Sequence, residues 1–500
     1  MMKMNGNNKS IIIAALVSCA TAAVLFTFFY ASGLFRDTSF IQFWMRGFLI
    51  SCVLLAACVF CLIKKMGDSP KEEPKETVKE KQFITIVAAV IAMGIIMRIG
   101  YMLYTPYDLR GHDVGLGSNG HADYVLTLMQ GHLPDSNEYQ YYHPPLFHIL
   151  AAVMSATFSV LTGEQDVEIL LEAGKLVSCW SSILTLFLSA ALCRELKLGK
   201  SGTVFVIGVS AFLPEHYLLA GRLNNDALSI MFMTAIIIFT LKWYRRQTMH
   251  DMVILAVCYG LGMMTKISAG TFSLVTGTVM IITLYKNLQC GNCKQIIQQY
   301  SVFSLIAFPL GLWYPVRNLI RFAQPLTYVA KIEITDPLYC GNHSIISRFL
   351  PVVDFNLYAD PRVDSNVWSY IVKTSVFGEF KYDVTEWIPQ ALLICAGMLS
   401  IAGVAAMVYR WFHNPSFQEK VLVAFWCVTI ISYLWFNLKY PFGCTMDFRY
   451  IVPSALICSV FLGKWTDKNK TGILAEMIEY MLWIVIVILG LTSCTMYTMV

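Results

Sequence analysis

Charged residues are scarce in this chain. Of its 500 residues, 14% are Asp, Glu, Lys or Arg and 57% are apolar. A soluble domain carries about a quarter charged residues, so the composition excludes an ordinary soluble protein. The net charge of +5 gives no support for a nucleic-acid partner. The apolar residues occur in blocks of about twenty, which is the length that a helix needs to cross about 30 Å of hydrocarbon.

The sequence also lacks the motifs of nucleotide chemistry. It has no P-loop, no glycine-rich dinucleotide fingerprint and no nucleophile elbow, so nucleotide-driven transport and nucleotide-sugar chemistry have no support. Most of the 15 cysteines lie inside apolar blocks, where packing is their expected role. Cys290 and Cys293 form a lone CxxC motif, and without a second pair it is weak evidence for a zinc site.

The apolar blocks predict an all-α polytopic membrane protein with about 13 transmembrane helices. The predicted spans are 11–32, 41–63, 83–105, 173–193, 202–220, 227–243, 251–267, 269–286, 300–316, 389–409, 420–437, 450–464 and 474–498.

The segment 144–162 decides the topology, because it is apolar but need not cross the membrane. The linker 64–82 is rich in lysine, which places it in the cytoplasm by the positive-inside rule. If 144–162 crossed, the basic clusters at 194–200 and 242–246 would face outside. If it lies in the outer leaflet, they face the cytoplasm. We therefore predict a juxtamembrane helix at 144–162, with the N-terminus inside and the C-terminus outside.

The first outer loop, 106–143, is dense in Gly, His, Asp and Tyr. Asp113 follows the end of a span by a few residues, at the level where a lipid-phosphate donor presents its sugar. A carboxylate there is suited to accept the proton of an acceptor hydroxyl. A turn cap or a salt bridge to Arg110 is the structural alternative for Asp113. Asp108 is its first competitor as the base, and Asp123 is the second.

Other outer segments supply further candidates. The turn GRLNNDAL places Arg222 and Asp226 at the start of a span, where an ionisable residue is a functional candidate, although Asp226 is also suited to cap the helix. His143 begins the HPPL segment, and His148 follows within it. We interpret both histidines, with Asp108 and Tyr124, as candidate contacts to donor or acceptor; satisfaction by backbone is the alternative for the histidines.

Cations are expected where a phosphate binds near lipid, because the charge of the phosphate is costly there. Lys266 lies between two apolar spans, and Arg449 and Arg317 lie at outer helix ends. With Arg222 they are the predicted phosphate ligands, since arginine binds phosphate oxygens in a bidentate manner. Snorkelling to the headgroups is the alternative for each cation.

A divalent metal is allowed by the residue types of the first loop but is not indicated by their spacing. His112, Asp113, His121 and Asp123 match no strong ligand motif. The sequence therefore gives no certain cofactor.

The order of these motifs resembles the GT-C membrane glycosyltransferases. An acidic first outer loop, HPPL, an RxxxD turn, WYPVRN followed by QPL, and DFRY before a late span are together similar to the protein O-mannosyltransferases and bacterial aminoarabinose transferases of glycosyltransferase family 39 and kin. The resemblance covers roughly 83–465. It implies an inverting transfer from a polyprenyl-phosphate sugar, with Asp113 as the central carboxylate and Asp226 as the second acid.

The resemblance implies a division of the chain. Residues 1–63 are two additional transmembrane helices, 64–82 a charged cytoplasmic linker, 83–316 the catalytic module, 317–388 a large outer loop, and 389–500 the C-terminal helices. The two additional helices, and a chain that carries no large soluble C-terminal domain, depart from the family. We expect a bacterial cytoplasmic membrane and a site facing outside.

Two alternatives stay open from the sequence. One is a transporter or flippase of a lipid-linked sugar, which favours inverted repeats and charges at the membrane midplane. The other is an outer-leaflet polysaccharide polymerase or ligase, for which Arg-rich outer loops are expected. The acceptor, whether protein, lipid or cell-wall glycan, is undefined.

Overall fold

The computed structural model describes residues 75–111, 113–289, 293–326, 328–330, 332–352, 365–382, 384–467 and 473–499. The predicted spans 11–32 and 41–63, most of the linker 64–82, and His112 and Cys290 lie outside the described residues. Within them, all regular structure is helical, apart from one antiparallel bridge between Tyr339 and Phe442. The prediction of an all-α polytopic membrane protein is confirmed.

The α-helices are numbered here in chain order. They are α1 Lys75–Tyr104, α2 His121–Met129, α3 Leu146–Thr162, α4 Val167–Gly174, α5 Leu176–Glu195, α6 Lys200–Phe212, α7 Glu215–Ala220, α8 Asp226–Arg246, α9 Met249–Thr265, α10 Ser273–Gln289, α11 Cys293–Phe322, α12 Ile345–Phe349, α13 Val367–Phe377, α14 Trp387–Phe412, α15 Phe417–Lys439, α16 Val452–Thr466 and α17 Ile473–Met499.

Every span predicted from 83–105 onward coincides with helical structure. In the described ranges, eight helical segments are long and apolar enough to cross a membrane, and a bent pair ending in α16 makes a ninth. The predicted span 202–220 is wrong as a single helix. It is broken into α6 and α7 between Phe212 and Glu215, because Pro214 has no backbone N–H to continue α6. With 13 and 17 residues, α6 and α9 are shorter than the about 20 residues of an ordinary span.

The helices run between two chemically different ends of the bundle. At one end, which we call the charged end, Arg245 pairs with Glu195 at 2.8 Å, and Arg410 and Lys464 pair with Glu419 at 2.7 and 3.0 Å. The other end, which we call the loop end, carries the C-terminus of α1, the N-termini of α8 and α16, and the C-terminus of α9. The basic clusters of α5, α8 and α16 therefore share one end, as the positive-inside argument requires.

Glycine allows close packing within the bundle. A Cβ atom built on Gly202 would lie 2.4 Å from the carbonyl oxygen of Gly463, and one built on Gly463 would lie 2.8 Å from that of Gly202. Small residues of this kind let membrane helices approach closely. The contact fixes α6 against α16 near the charged end of both helices.

The segment after HPPL forms a helical hairpin of α3 and α4. The hydroxyl of Ser155 in α3 donates to the carbonyl of Leu170 in α4 at 2.6 Å. Lys175, directly after α4, donates to the carbonyl of Thr105 at 2.5 Å, so the chain returns to the loop end before α5 begins. The hairpin therefore enters and leaves at the same end, and juxtamembrane helices in the first large loop are confirmed.

Candidate functional site

A cavity of about 420 Å³ opens among the helix ends at the loop end. Its lining combines charged residues, which we call the polar wall (Asp113, Asp226, Lys266 and Arg449), with a larger apolar set, which we call the apolar wall. The apolar wall includes Ile230, Met233, Phe272, Val329 and Phe436. The volume of the cavity falls in the range of about 300–1,000 Å³ that is usual for small-molecule sites. The combination suits a ligand with a charged head and an apolar tail.

The loop that precedes α2 holds Asp113 at this cavity. Its backbone is left-handed, with φ 58°, a conformation that aspartate tolerates better than most residues. The carbonyl of Asp113 accepts from the backbone N–H of His121 at 3.0 Å, which ties the loop to the start of α2. Its carboxylate accepts from the hydroxyl of Tyr139 at 3.0 Å. Burial and the charge of Asp113 raise the pKa of Tyr139, so this hydroxyl remains a donor.

Asp226 and Lys266 form a buried ion pair at the cavity wall. Oδ1 of Asp226 and Nζ of Lys266 are 2.5 Å apart. Asp226 is the first residue of α8, and Lys266 directly follows α9, so two helix ends deliver the two charges. Asn225 donates through its side-chain amide to the carbonyl of Thr265 at 3.2 Å and joins the same two ends.

Arg449 lies among three carboxylates. Its guanidinium nitrogens are 3.7 Å from Asp226, 3.9 Å from Asp113 and 4.0 Å from Asp447. None of these distances is that of a strong hydrogen bond. Within the described part of the chain, Nε of Arg449 has no hydrogen-bond partner, and Nη2 donates to the hydroxyl of Tyr450 at 3.2 Å. Arg449 is thus a buried cation with unused donors beside a cavity.

Two histidines stand behind Asp113. Nδ1 of His121 and Nε2 of His148 are 2.8 Å apart, and His121 lines the cavity. Burial lowers the pKa of His121 to about 4, although Asp113 and Asp226 act in the opposite direction. The His121 ring is therefore neutral at physiological pH. Burial also lowers the pKa of His143, which lines the cavity as well, and Lys266 adds to that effect.

The structure brings together half of the residues predicted for the site. The predicted residues that line the cavity are Asp113, Asp226, Lys266, Arg449 and His143.

The other predicted residues have different surroundings. Arg222 faces Glu215 at 3.4 Å, and Arg317 donates to the carbonyl of Pro134 at 2.7 Å. His148 and Tyr124 lie one layer behind the cavity, with their rings stacked at 3.9 Å. Asp108 is exposed. None of these five is among the cavity-lining residues, so their roles in binding stay predictions.

The three acids that competed for the role of base differ in their surroundings. The carboxylate of Asp123 accepts from the backbone N–H groups of Gly117 and Asn119 at 2.9 and 2.8 Å, so it stabilises the turn before α2. Asp108 points to solvent. Asp113 faces the cavity, with Arg449 rather than Arg110 as its cation; Arg110 lies over the ring of Tyr382 at 4.4 Å.

Several cavity residues were not singled out from the sequence. Tyr139, Tyr142 and Tyr450 line the polar wall, and Asp447, buried behind it, accepts from the backbone N–H of Arg449 at 2.8 Å. Asp447 and Tyr450 belong to the motif MDFRY, in which only the arginine was considered. The clustering of tyrosines in the first loop was the available signal for Tyr139 and Tyr142.

The described candidate metal ligands of the first loop do not form a metal-binding cluster. Among the described residues, which exclude His112, no three His, Cys, Asp or Glu side chains are grouped so that they could hold a metal ion. His121 is engaged by His148 and Asp123 by the loop backbone, so two of the four candidate ligands have other partners.

Fold and site together define a polytopic helical membrane protein with a cavity of opposed charges at one end of its bundle. No protein-family model matches the chain, and no curated protein matches it. Among solved structures, it is similar to ArnT from Cupriavidus metallidurans in the apo state, with a TM-score of 0.49 and 12% identity over 84% of this chain and 75% of that one. It is also similar to the same protein bound to undecaprenyl phosphate, with a TM-score of 0.45 and 12% identity over 83% and 75%. Both are likenesses of fold alone.

Proposed function

We propose that this protein is a membrane glycosyltransferase that moves a sugar from a polyprenyl-phosphate carrier to an acceptor hydroxyl. The observation that supports it most is the placement of the Asp113 carboxylate 3.9 Å from Arg449, at a cavity that also exposes Lys266 and an apolar wall. A base, two cations and an apolar surface are what a lipid-phosphate sugar donor requires.

Each group has a distinct role in the proposed reaction. The acceptor oxygen attacks the anomeric carbon while the bond from that carbon to the phosphate oxygen breaks, so the configuration inverts. Asp113 accepts the proton of the acceptor hydroxyl. The polyprenyl phosphate leaves with its negative charge held by Arg449 and Lys266, which act as electrostatic stabilisers of the departing group.

Asp226 serves the cations rather than the substrate in this proposal. Its carboxylate contacts Lys266 at 2.5 Å and Arg449 at 3.7 Å. Two cations held near each other repel, and the shared carboxylate offsets that repulsion when no phosphate is bound. The guanidinium of Arg449 keeps donors available for phosphate oxygens, which it is suited to bind in a bidentate manner.

The site is proposed to face the outside of a bacterial cytoplasmic membrane. The basic clusters of α5, α8 and α16 lie at the charged end, and the positive-inside rule assigns that end to the cytoplasm. The loop end, with the cavity, then faces outward.

The test is transfer of radiolabelled sugar by the full-length protein in nanodiscs. The donors are polyprenyl-phosphate sugars, including undecaprenyl-linked ones, and the acceptors are membrane lipids, proteins and glycans. Two products are measured, the labelled acceptor and the released polyprenyl phosphate. We expect Asp113→Asn to lower kcat by about 10²- to 10⁴-fold. Asparagine suits the variant because it preserves shape and tolerates the left-handed backbone.

Asp135→Asn is the matched control, since Asp135 is an acid of the same loop whose side chain is 78% exposed. Equal transfer by wild type and Asp113→Asn would remove Asp113 as the base. Movement of the donor across vesicles by both proteins, with no transfer by either, would replace the transferase by a transporter. Extension of a lipid-linked glycan by repeated units would instead indicate a polymerase.

A further inference from the structure

His121 and His148 share a single proton along their contact. Nδ1 of His121 and Nε2 of His148 are 2.8 Å apart, and both side chains are buried. A neutral imidazole has one N–H donor and one acceptor nitrogen. One of the two rings must therefore donate to the other. If His121 donates, its proton is on Nδ1 and its Nε2 is bare; if His148 donates, the proton of His121 is on Nε2.

The surroundings of His148 distinguish the two arrangements. Its other nitrogen, Nδ1, is buried and has no hydrogen-bond partner among the described residues. If His121 donated, His148 would carry its proton on Nδ1 and bury an unpaired N–H group. Orphaned buried N–H groups are rare in proteins, and acceptors that lack a partner are less so. If His148 donates from Nε2, its Nδ1 holds only a lone pair.

The charges near His121 favour the same arrangement. His121 lines the cavity, and since its Nδ1 faces His148, the remaining nitrogen is Nε2. Among the charges that act on His121, those of Asp113 and Asp226 are stronger than those of Lys266 and Arg449. The two carboxylates therefore act to keep a proton on the His121 ring, in the same sense as the arrangement in which His148 donates.

We propose that His148 fixes the tautomer of His121, so that His121 presents an Nε2–H donor to an oxygen atom of the ligand in the cavity. His121 is then a binding residue, and His148 is a positioning residue that acts only through it. The ring of Tyr124, stacked on His148 at 3.9 Å, holds the positioning ring in plane. The identity of the ligand as a polyprenyl-phosphate sugar rests on the proposed function, whereas the tautomer does not.

Nitrogen-15 NMR of histidine-labelled protein in nanodiscs reads the tautomer without any substrate. His121 signals are assigned from their loss in His121→Gln. We expect the wild-type ring to be protonated at Nε2 and bare at Nδ1. We expect His148→Phe to produce a population protonated at Nδ1, and His148→Gln, whose amide nitrogen replaces Nε2 of histidine, to restore the wild-type state. Protonation of wild-type His121 at Nδ1, or an unchanged tautomer in His148→Phe, would overturn the proposal.

Kinetics with two amide variants test the donor itself. The side-chain nitrogen of glutamine in His121→Gln falls near Nε2, and that of asparagine in His121→Asn falls near Nδ1. We expect His121→Asn to raise the KM for the donor about five- to tenfold, as loss of one hydrogen bond implies, with His121→Gln close to wild type. Equal KM values for the two variants would refute the donor role.

Binding of sugar-free polyprenyl phosphate separates the two sources of the ligand oxygen. If His121→Asn weakens its binding as much as that of the sugar donor, the contact is to phosphate. If only the sugar donor is weakened, the contact is to a sugar hydroxyl. If neither is weakened, His121 does not donate to the ligand. Should the protein transfer no sugar, the NMR result still decides the tautomer.

Discussion

Lys266 and Asp226 meet at 2.5 Å although forty positions separate them in the chain. The contact closes the loop end between α8 and α9 and gives the cavity its polar wall. Both side chains are largely shielded from solvent, with 14% and 6% exposed. Each buried charge depends on the other for stability, so the pair stabilises the fold as well as lining the cavity.

Removal of one member of this pair should destabilise the protein more than removal of both. Lys266→Met leaves Asp226 with Arg449 alone, and loss of one partner of a buried pair costs about 3–5 kcal/mol. The double variant Lys266→Met with Asp226→Asn should recover part of that loss, as measured by thermal unfolding in nanodiscs. Lys294→Met, at an exposed lysine of α11, is the control. Additive losses in the double variant would show that the pair is not coupled.

Arg449→Lys should reduce transfer far more than it reduces stability. Lysine keeps one positive charge near Asp226 and Asp113 but cannot make the forked contact that arginine makes with phosphate. We expect kcat/KM for the donor to fall at least about tenfold, which corresponds to one lost charge-assisted hydrogen bond. Arg321→Lys is a matched change at a half-exposed arginine of the same end. Similar losses in the two variants would contradict a phosphate role for Arg449.

The low pKa of His121 predicts a stability that depends on pH. Its pKa of about 4 in the folded protein lies below the ordinary value of 6.5, so the unfolded chain binds more protons between these values. The free energy of unfolding should therefore fall as pH falls from 6.5 to 4, by on the order of 3 kcal/mol at most. His121→Gln should show a shallower slope in thermal unfolding followed by tryptophan fluorescence. Parallel curves would mean that His121 is not buried as a neutral group.

The proposed orientation predicts which positions a membrane-impermeant thiol reagent reaches in intact cells. Cysteine introduced as Asp108→Cys at the loop end should be labelled, whereas Lys294→Cys at the charged end should be labelled only after the membrane is opened. The unsubstituted protein gives the background from its own cysteines. Labelling of Lys294→Cys alone in intact cells would invert the topology and place the cavity in the cytoplasm.

The sequence was sufficient to predict most of the described membrane helices, although not the break between α6 and α7, and the segments that meet at the site. The positive-inside rule predicted that the turn of Asp226, the end of α9 with Lys266 and the DFRY motif lie on the same side of the membrane. This was possible because helix length and the positions of basic clusters can be read directly from the sequence. Within that face, the partners are set by packing. That Arg222 faces Glu215, and that Asp123 is used as a loop cap, depends on backbone geometry that no spacing rule supplies.

The choice among the acids of the first loop shows the same limit. Asp108 and Asp113 are alike in the sequence, and both follow the span by a few residues. Left-handed backbone at Arg110 and Asp113 turns one carboxylate toward the cavity and leaves the other in solvent. Such turns depend on contacts of Asp113 with α2 and Tyr139, which form only when the loop folds back on itself.

The hairpin of α3 and α4 has a consequence for how the protein must be handled. His148, which contacts the cavity-lining His121, lies on the inner side of α3, while Val153, Val160 and Leu161 on the same helix are exposed. Lipid acyl chains are expected to pack against that outer side, so the surrounding lipid stabilises the helix that lies behind the cavity. Delipidation in a harsh detergent is then expected to disorder the cavity before the helix bundle unfolds, so the lipid chosen for reconstitution affects any assay of the site.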